Sequence, residues 1–476
     1  MTFSASPARP SEPASSTRRP NVLVFLTDQQ RWDTTGIHGN PLGLTPALDR
    51  LAADGVSVDR SFTCQPVCAP SRACLQTGQY PTTTEVFRNG LPLPRDTPAL
   101  ARVFRDAGYA TGYIGKWHLA GGGTTGPVPA EDRAGYEYWL AANLLEFTSD
   151  AYETTLYDGN GTPHHFDGYR ADALGIAAIE FIDRDRDRDR DRDRDRDRES
   201  DRDRDRPFFL FLSFLEPHHQ NSRDDYPAPT GYSDRYNAPW VPSDLAALGG
   251  GNWAQHLPGY YGMVRRLDEV LDRIVSVLQR RGELDDTVIL FTSDHGCHFK
   301  TRNKEYKRSV HDASVRVPTV LRGPGLRGGV RLPELVGHVD LPPTLLQAAG
   351  VPVPPQMQGR SLLPLLHGGD PDWPREVLIQ ISESEVGRAL RTERWKYAAT
   401  APGADPWNDP RADRYQDAYL YDLHSDPDEL TNLVADPAYE DVRADLRQRL
   451  VQRIVESGEP RPVITAGERV PTDAPE

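Results

Sequence analysis

Five short runs of apolar residues recur along this chain, and they constrain its fold more than any other feature of the sequence. They occupy residues 21–27, 110–114, 208–214, 287–292 and 317–321. Runs of this length that are apolar throughout are typical of strands buried on both faces of a sheet. Segments with helical spacing of apolar residues separate them, for example residues 45–54 and 259–281. This alternation predicts an α/β fold in which helices flank a mainly parallel central sheet.

Polar and titratable residues follow four of these runs, at the point where each predicted strand ends. They are Asp28 and Gln29, then Lys116 and His118, then His218, then Asp294 and His295. In open parallel sheets the functional site lies outside the carboxyl ends of the strands. We therefore expect these side chains to converge at one edge, together with a turn that carries Cys68.

The charge of the chain argues against several kinds of partner. The 476 residues include 55 Lys and Arg against 70 Asp and Glu, a formal charge of −15. Such an acidic protein is unsuited to nucleic acid or an anionic membrane, so an anionic substrate would need a local cationic pocket. No secretory signal is visible, and the longest apolar run, residues 208–215, is too short to span a bilayer. We expect a soluble, cytoplasmic protein.

Composition predicts how the chain is divided. We expect a disordered tail (1–19), a main catalytic domain (20–371), a smaller C-terminal α+β subdomain (372–460) and a second tail (461–476). The segment 183–206 is almost pure Asp-Arg alternation, and we interpret it as a solvated insertion without function because its charges cancel. In the C-terminal subdomain we predict strands at 377–382, 388–399 and 419–422 and a helix at 439–456.

The stretch Cys68-Ala69-Pro70-Ser71-Arg72, which runs on to Gly78, carries the strongest chemical signal. Pro70 suits the first turn of a helix and Gly78 its C-terminal cap, so Cys68 should lie at the start of a short helix. Backbone N–H groups and the helix dipole favour an anion there. Arg72, four residues on, would add a fork of donors for sulfate or phosphate. The alternative is an inert buried thiol.

This stretch resembles the signature of the type I sulfatases, C-x-P-S-R followed by L-x-T-G, a family of the alkaline-phosphatase-like superfamily. The stretches A-L-R-T-E-R-W-K-Y and L-Y-D-L-H-S-D-P-D-E-L-T-N-L resemble the C-terminal part of the same family. The resemblance implies that Cys68 is oxidised to formylglycine by a formylglycine-generating enzyme, directed by Pro70 and Arg72. The hydrated aldehyde of that residue would be the nucleophile, which Arg72 would steady.

Asp28, Gln29, Asp294 and His295 offer two carboxylates, an amide oxygen and an imidazole. An isolated aspartate at a strand end is more often a cap or turn residue. By resemblance these positions hold a divalent cation, usually calcium, that also contacts residue 68. Many sulfatases have two successive aspartates where this chain has Asp28-Gln29, and Asn where it has His295. Oxygen ligands suit Ca²⁺, and the added nitrogen keeps Mn²⁺ or Mg²⁺ as alternatives.

The remaining catalytic roles also come from the resemblance. Lys116 and Lys307 would bind the sulfate, His118 would promote its release, and His218 or Lys307 would protonate the leaving oxygen. Lys304 competes with Lys307, which has the family's spacing to Arg316-Val317-Pro318. His219 and His311 are candidate substrate contacts, with a structural role as the alternative for His219.

The leading interpretation is a sulfate ester hydrolase acting on a sulfated sugar or an aryl sulfate. The alternative keeps the fold and changes the bond, giving a phosphonate monoester or phosphodiester hydrolase, because related enzymes share the D-Q and D-H arrangement. A catalytically silent carbohydrate-binding protein is the third interpretation, and the complete set of nucleophile, metal and lysine positions argues against it.

Overall fold

The computed structural model describes residues 19–187 and 206–467. Most of the Asp-Arg segment and most of both predicted tails therefore lie outside the described residues. Of the predicted insertion, the part up to Asp187 continues a helix that begins at Arg170. The predicted division of the chain into domains remains a prediction.

Eleven strands within the described residues form one large sheet. They are β1 (Asn21–Thr27), β2 (Val56–Phe62), β3 (Ala110–Lys116), β4 (Tyr138–Ala142), β5 (Glu153–Asp158), β6 (Pro163–Asp167), β7 (Phe208–Ser213), β8 (Thr287–Ser293), β9 (Arg316–Val317), β10 (Thr319–Arg322) and β11 (Val330–Gly337). The order is β11-β2-β10-β8-β1-β7-β3-β4-β5-β6, with β9 paired to β2. The four central strands, β8, β1, β7 and β3, are mutually parallel. The predicted α/β fold with a mainly parallel sheet is confirmed.

The helices are α1 (Pro46–Asp54), α2 (Cys68–Thr77), α3 (Pro81–Thr84), α4 (Leu100–Asp106), α5 (Leu145–Thr148), α6 (Arg170–Asp187), α7 (Ser243–Leu248), α8 (Trp253–Arg280), α9 (Asp312–Val315), α10 (Leu341–Ala348), α11 (Leu363–Leu366) and α12 (Glu440–Glu456). Among the described helices, none combines the length and apolar character that crossing a bilayer would require.

The central strands are apolar throughout because both faces of the sheet are covered. Val22, Val24 and Leu26 of β1 pack into one core, with residues of α2, α4 and α10. Leu23 and Phe25 pack into a second core on the opposite face, with residues of α1, α6 and α8. This period-two alternation between two cores is what a strand buried on both faces requires.

A smaller sheet follows, with the order β12 (Glu376–Ile381), β13 (Gly387–Thr392), β14 (Trp395–Thr400), β15 (Arg414–Asp422) and β16 (Val463–Thr465). Its apolar side chains pack against α12 on one face. On the other face Val377, Ile379 and Ile381 meet Phe62 and Leu335 of the large sheet. The two sheets therefore share buried surface.

Two predicted strands are wrong in detail. Residues 317–321 are split into β9 and β10, because Pro318 between them has no N–H to donate to a ladder. Residues 388–399 form two antiparallel strands, β13 and β14, that turn at Glu393 and Arg394. The sequence analysis does not predict β2, β5, β6, β11 and β16, since charged or exposed residues interrupt their apolar patterns. It also does not predict β4, which is apolar but only five residues long.

Gly115 allows the close approach of β3 to β7 just before Lys116. Its φ is +105°, and a Cβ there would lie 1.9 Å from the carbonyl oxygen of Ser213. Gly108 has φ +91°, and a Cβ added to it would lie in open space. Gly115→Ala should lower the free energy of unfolding by about 2–3 kcal/mol, because the overlap is with backbone. Gly108→Ala should cost about 1 kcal/mol from its backbone conformation alone. Equal losses in denaturant titrations of the two variants would contradict the packing described here.

Candidate active site

Cys68 begins α2, as predicted, and is 2 % exposed. Gly78 ends the helix in a left-handed conformation, and its N–H donates to the carbonyl of Cys74 over 2.8 Å. At the other end, the side-chain oxygen of Asn89 accepts a hydrogen bond from the N–H of Ala69 at 3.0 Å. The side chain of Asn89 therefore satisfies one of the free N–H groups at the start of this helix.

The predicted polar residues do converge at the carboxyl edge of the central strands. Asp28 follows β1 and Asp294 follows β8, and both side chains are fully buried. Arg72 bridges the two carboxylates, with Nη2 2.9 Å from Asp28 Oδ2 and Nε 3.1 Å from Asp294 Oδ2. Its Nη1 donates to Ser213 Oγ and to the carbonyl of Lys116. The guanidinium of Arg72 therefore already has partners at both ends, and its predicted contact with sulfate or phosphate stays a prediction.

Two lysines bring positive charge to the site from opposite sides. Lys116 Nζ lies 2.8 Å from Asp28 Oδ2. Lys307 Nζ lies 2.8 Å from Cys68 Sγ, 3.0 Å from His295 Nε2 and 3.2 Å from His218 Nε2. Lys304, the competing candidate, is exposed. Lys307, rather than Lys304, is therefore the lysine that contacts residue 68.

The donor atoms of Asp28, Cys68, Asp294 and His295 all lie within 4.8 Å of one another. Gln29, the fifth predicted ligand, donates through Nε2 to Tyr226 Oη at 2.8 Å. Its Oε1 is buried without a hydrogen-bond partner among the described residues. Two buried carboxylates, an imidazole and an orphaned amide oxygen fit a hard or borderline divalent cation.

The electrostatics of the cluster favour negative charge at residue 68. Burial alone would raise the pKa of the Cys68 thiol, but Lys116, Lys307 and His295 together hold it well below its usual value. Burial also opposes ionisation of Asp28, yet Lys116, His218 and Arg72 lower its pKa. Burial and the neighbouring Asp28 raise the pKa of Asp294. The two adjacent carboxylates thus have pKa values shifted in opposite directions. A bound cation would favour the ionised form of both.

The surroundings of His218 bear on which group can supply a proton. Burial and the nearby Lys307 lower the pKa of His218 below its usual value. Its Nδ1 lies 2.7 Å from the carbonyl oxygen of His219. Lys307, with three N–H donors, is therefore the stronger candidate for the acid of the two residues that the sequence left open.

Glu146 is a residue of the site that sequence reasoning missed. It is 4 % exposed, and its Oε1 lies 3.1 Å from Lys116 Nζ and 3.4 Å from His118 Nδ1. Burial would raise its pKa, but Lys116 and His118 lower it. Glu146 follows β4, which is parallel to β3 and ends at the same edge. Polar residues that follow a parallel strand are expected at the carboxyl edge of the sheet, so a prediction of β4 would also have indicated Glu146.

The two predicted substrate contacts differ in their surroundings. His219 is half-buried, and its ring is stacked on that of His218 and tilted against that of Tyr306, with the ring centroids 4.3 Å apart in both pairs. His311 is 3 % exposed, and its Nε2 lies 3.1 Å from Tyr421 Oη of the small sheet. The prediction that His311 contacts the substrate stays a prediction.

The fold and the site define a hydrolase of the alkaline-phosphatase-like class. A model of the sulfatase family matches residues 20–351, and a model of the C-terminal region of N-sulphoglucosamine sulphohydrolase matches residues 304–456. The chain belongs to the sulfatase family, whose members are sulfuric ester hydrolases.

Similar proteins extend over nearly the whole chain. An ulvan-active sulfatase of Formosa agariphila is 30 % identical over 93 % of this chain and 82 % of its own. An N-acetylglucosamine-6-O-sulfatase of Bacteroides thetaiotaomicron is 25 % identical over 91 % of this chain and 86 % of its own. The crystal structure of a phosphonate monoester hydrolase of Agrobacterium radiobacter has a TM-score of 0.68 and 26 % identity, covering 92 % of this chain and 96 % of the other.

Asp294→Ala should abolish binding of a divalent cation, because it removes one of two buried anionic ligands. Turnover of a sulfate ester should fall by about 100-fold or more. Calorimetric titration with Ca²⁺ and Mn²⁺ checks the first expectation and steady-state kinetics the second. Asp417→Ala is the matched control, since Asp417 is a buried aspartate of β15 that pairs with Arg447 of α12. Undiminished cation binding by Asp294→Ala would show that this cluster is not the metal site.

Proposed function

We propose that this protein hydrolyses a sulfate ester of a saccharide, with Cys68 converted to formylglycine as the nucleophilic residue. The observation that carries the proposal is the position of Cys68. Cys68 is the first residue of a helix, and its Sγ lies 2.8 Å from Lys307 Nζ. The same sulfur belongs to the cluster of possible metal ligands with Asp28 and Asp294. Formylglycine at this position would supply a hydrated aldehyde. A formylglycine-generating enzyme would be the transient partner that makes it.

Asp28, Gln29, Asp294 and His295, with residue 68, would hold a divalent cation, for which Ca²⁺ is our choice and Mn²⁺ or Mg²⁺ the alternatives. The cation would supply positive charge beside the nucleophile and the sulfate oxygens. Arg72 orients the two carboxylate ligands by bridging them, a role that outer ligands commonly have in metal sites.

The lysines and histidines have separate roles in the proposed reaction. Lys116 and Lys307 neutralise the charge of the sulfate and fix its orientation, which lowers the cost of bringing an anion to a nucleophile. Lys307 donates a proton to the leaving oxygen, and His218, in contact with it, orients that amine. His118 would take the proton of the remaining hydroxyl on the sulfated residue 68, so that the C–O bond to sulfate breaks and the aldehyde re-forms. Glu146, 3.4 Å from His118 Nδ1, holds that ring.

A saccharide is the proposed alcohol because two relatives of the chain are named for sulfated carbohydrates. His219 is the proposed substrate contact, since it follows His218 and is half-buried.

A specific observation favours a second candidate, hydrolysis of a phosphonate monoester or phosphodiester. Gln29 and His295 replace the acid and amide common in sulfatases, and a phosphonate monoester hydrolase shares the fold at 26 % identity. Parallel assays with an aryl sulfate and an aryl phosphonate monoester separate the two. A higher kcat/KM for the sulfate supports the proposal, and a higher value for the phosphonate contradicts it.

Cys68→Ala should abolish turnover with the fold intact, because the nucleophile is removed from a preformed site. Cys68→Ser should be nearly as inactive, or should stall as a sulfated enzyme, since a serine ester cannot release sulfate by elimination. Cys64→Ala is the matched control, because Cys64 is also a buried free thiol but packs in a different cluster.

Mass spectrometry of the Cys68 peptide from protein made in its native host should show the mass of formylglycine. Steady-state kinetics on an aryl sulfate check the variants. Sustained multiple turnover by Cys68→Ala or Cys68→Ser, at the rate of the Cys64→Ala protein, would contradict the assignment of the nucleophile.

A further inference from the structure

Residues 382–384, in the turn between β12 and β13, reach from the small sheet to the segments that carry Cys68 and Lys307. Ser382 Oγ accepts a hydrogen bond from Gln65 Nε2 at 2.5 Å. Ser384 Oγ donates to the carbonyl of Arg308 at 2.7 Å. Gln65 lies shortly before Cys68, and Arg308 directly follows Lys307. The turn therefore touches the chain on both sides of the site.

Glu383, at the centre of this turn, joins two loops through one carboxylate. Its side chain is 1 % exposed. Oε1 accepts a hydrogen bond from the N–H of Asn89 at 2.6 Å, and Oε2 forms an ion pair with Arg308 Nη2 at 2.6 Å. A buried carboxylate with a charged partner and a backbone donor has a fixed position, because losing either contact would leave a buried charge less well solvated.

Each of these two loops holds one reacting group. The side chain of Asn89 accepts from the N–H of Ala69, so it fixes the first turn of the helix that Cys68 begins. The N–H of Arg308 donates to the carbonyl of Pro66 at 3.3 Å, and the preceding Lys307 reaches Cys68 Sγ at 2.8 Å. Glu383 is therefore linked to Lys307 through Arg308, and to residue 68 through Asn89 and Ala69.

Backbone conformation supports a functional reason for this arrangement. Glu383 has φ +66° and Arg308 has φ +67°, both in the left-handed region. Residues other than glycine seldom adopt this region, and they keep it where surrounding contacts over-determine it. Here the two strained residues face each other across an ion pair beside the site.

We infer that Glu383 is a positioning residue, which sets the distance between Lys307 and residue 68 from the small sheet without touching the substrate. This inference rests on the proposed function, since it assigns Glu383 a role in that reaction. A displacement of about 1 Å between reacting groups can lower a rate by about 100-fold, so a carboxylate outside the site can control turnover.

The test compares Glu383→Ala and Glu383→Gln with the wild type in kcat, KM and melting temperature. The fraction of formylglycine at residue 68 is measured by mass spectrometry, and kcat is expressed per modified site. Glu383→Ala should lose about 10-fold or more in kcat. Glu383→Gln should lose less, because an amide oxygen can still accept from Asn89. KM should change less than kcat does, since the proposed contacts of Lys116 and His219 with the substrate remain. Glu393→Gln is the control, an exposed residue of the same sheet paired with Arg60.

Full kcat per modified site in folded Glu383→Ala would overturn the inference, as would a loss in Glu393→Gln of equal size. If Glu383→Ala does not fold, the inference is tested instead by kcat per modified site in Glu383→Gln and Arg308→Met. A double-mutant cycle between these two should show coupling in kcat, because both act through one ion pair, and additive losses would overturn the role. Wild-type protein that carries formylglycine but turns over no sulfate ester would instead contradict the proposed function.

Discussion

The site depends on keeping two carboxylates, Asp28 and Asp294, side by side in a fully buried position. Two such groups repel each other and lose their hydration, so they stay ionised only when positive charge surrounds them. Arg72 bridges both, and Lys116 contacts Asp28 from a third strand. A divalent cation would complete the neutralisation. Because the guanidinium of Arg72 pairs with both carboxylates, binding of a sulfate in the proposed reaction would fall to Lys116 and Lys307.

These charges meet because the four central strands are parallel and end at the same edge. The strand order β8-β1-β7-β3 places Asp294, Asp28 and Lys116 at the same carboxyl edge of the sheet. The other half of the site, Cys68 and Lys307, comes from a helix and a loop that no strand register fixes. Contacts from the small sheet, through Glu383, supply that constraint. One half of the site is therefore set by sheet geometry and the other by packing between the two sheets.

The sequence predicted the first half well because a strand buried on both faces is a continuous apolar run. Polar residues at the ends of such runs are conspicuous, and Asp28, Lys116 and Asp294 were found in this way. Glu146 follows β4, a strand that the sequence did not reveal, and Glu383 lies in a turn whose place depends on how two sheets pack. The actual partners of Arg72 were also missed, since its spacing from Cys68 says nothing of carboxylates that are distant in the sequence.

The central claim is that residue 68 is a formylglycine beside a divalent cation held by Asp28 and Asp294. The most direct measurement is a crystal structure of protein from its native host, grown with Mn²⁺ and measured at the manganese edge. We expect an anomalous peak about 2.0–2.6 Å from a carboxylate oxygen of each aspartate. We also expect density at residue 68 for two oxygens on one carbon. A thiol at residue 68, with the anomalous signal elsewhere in the protein, would contradict the account.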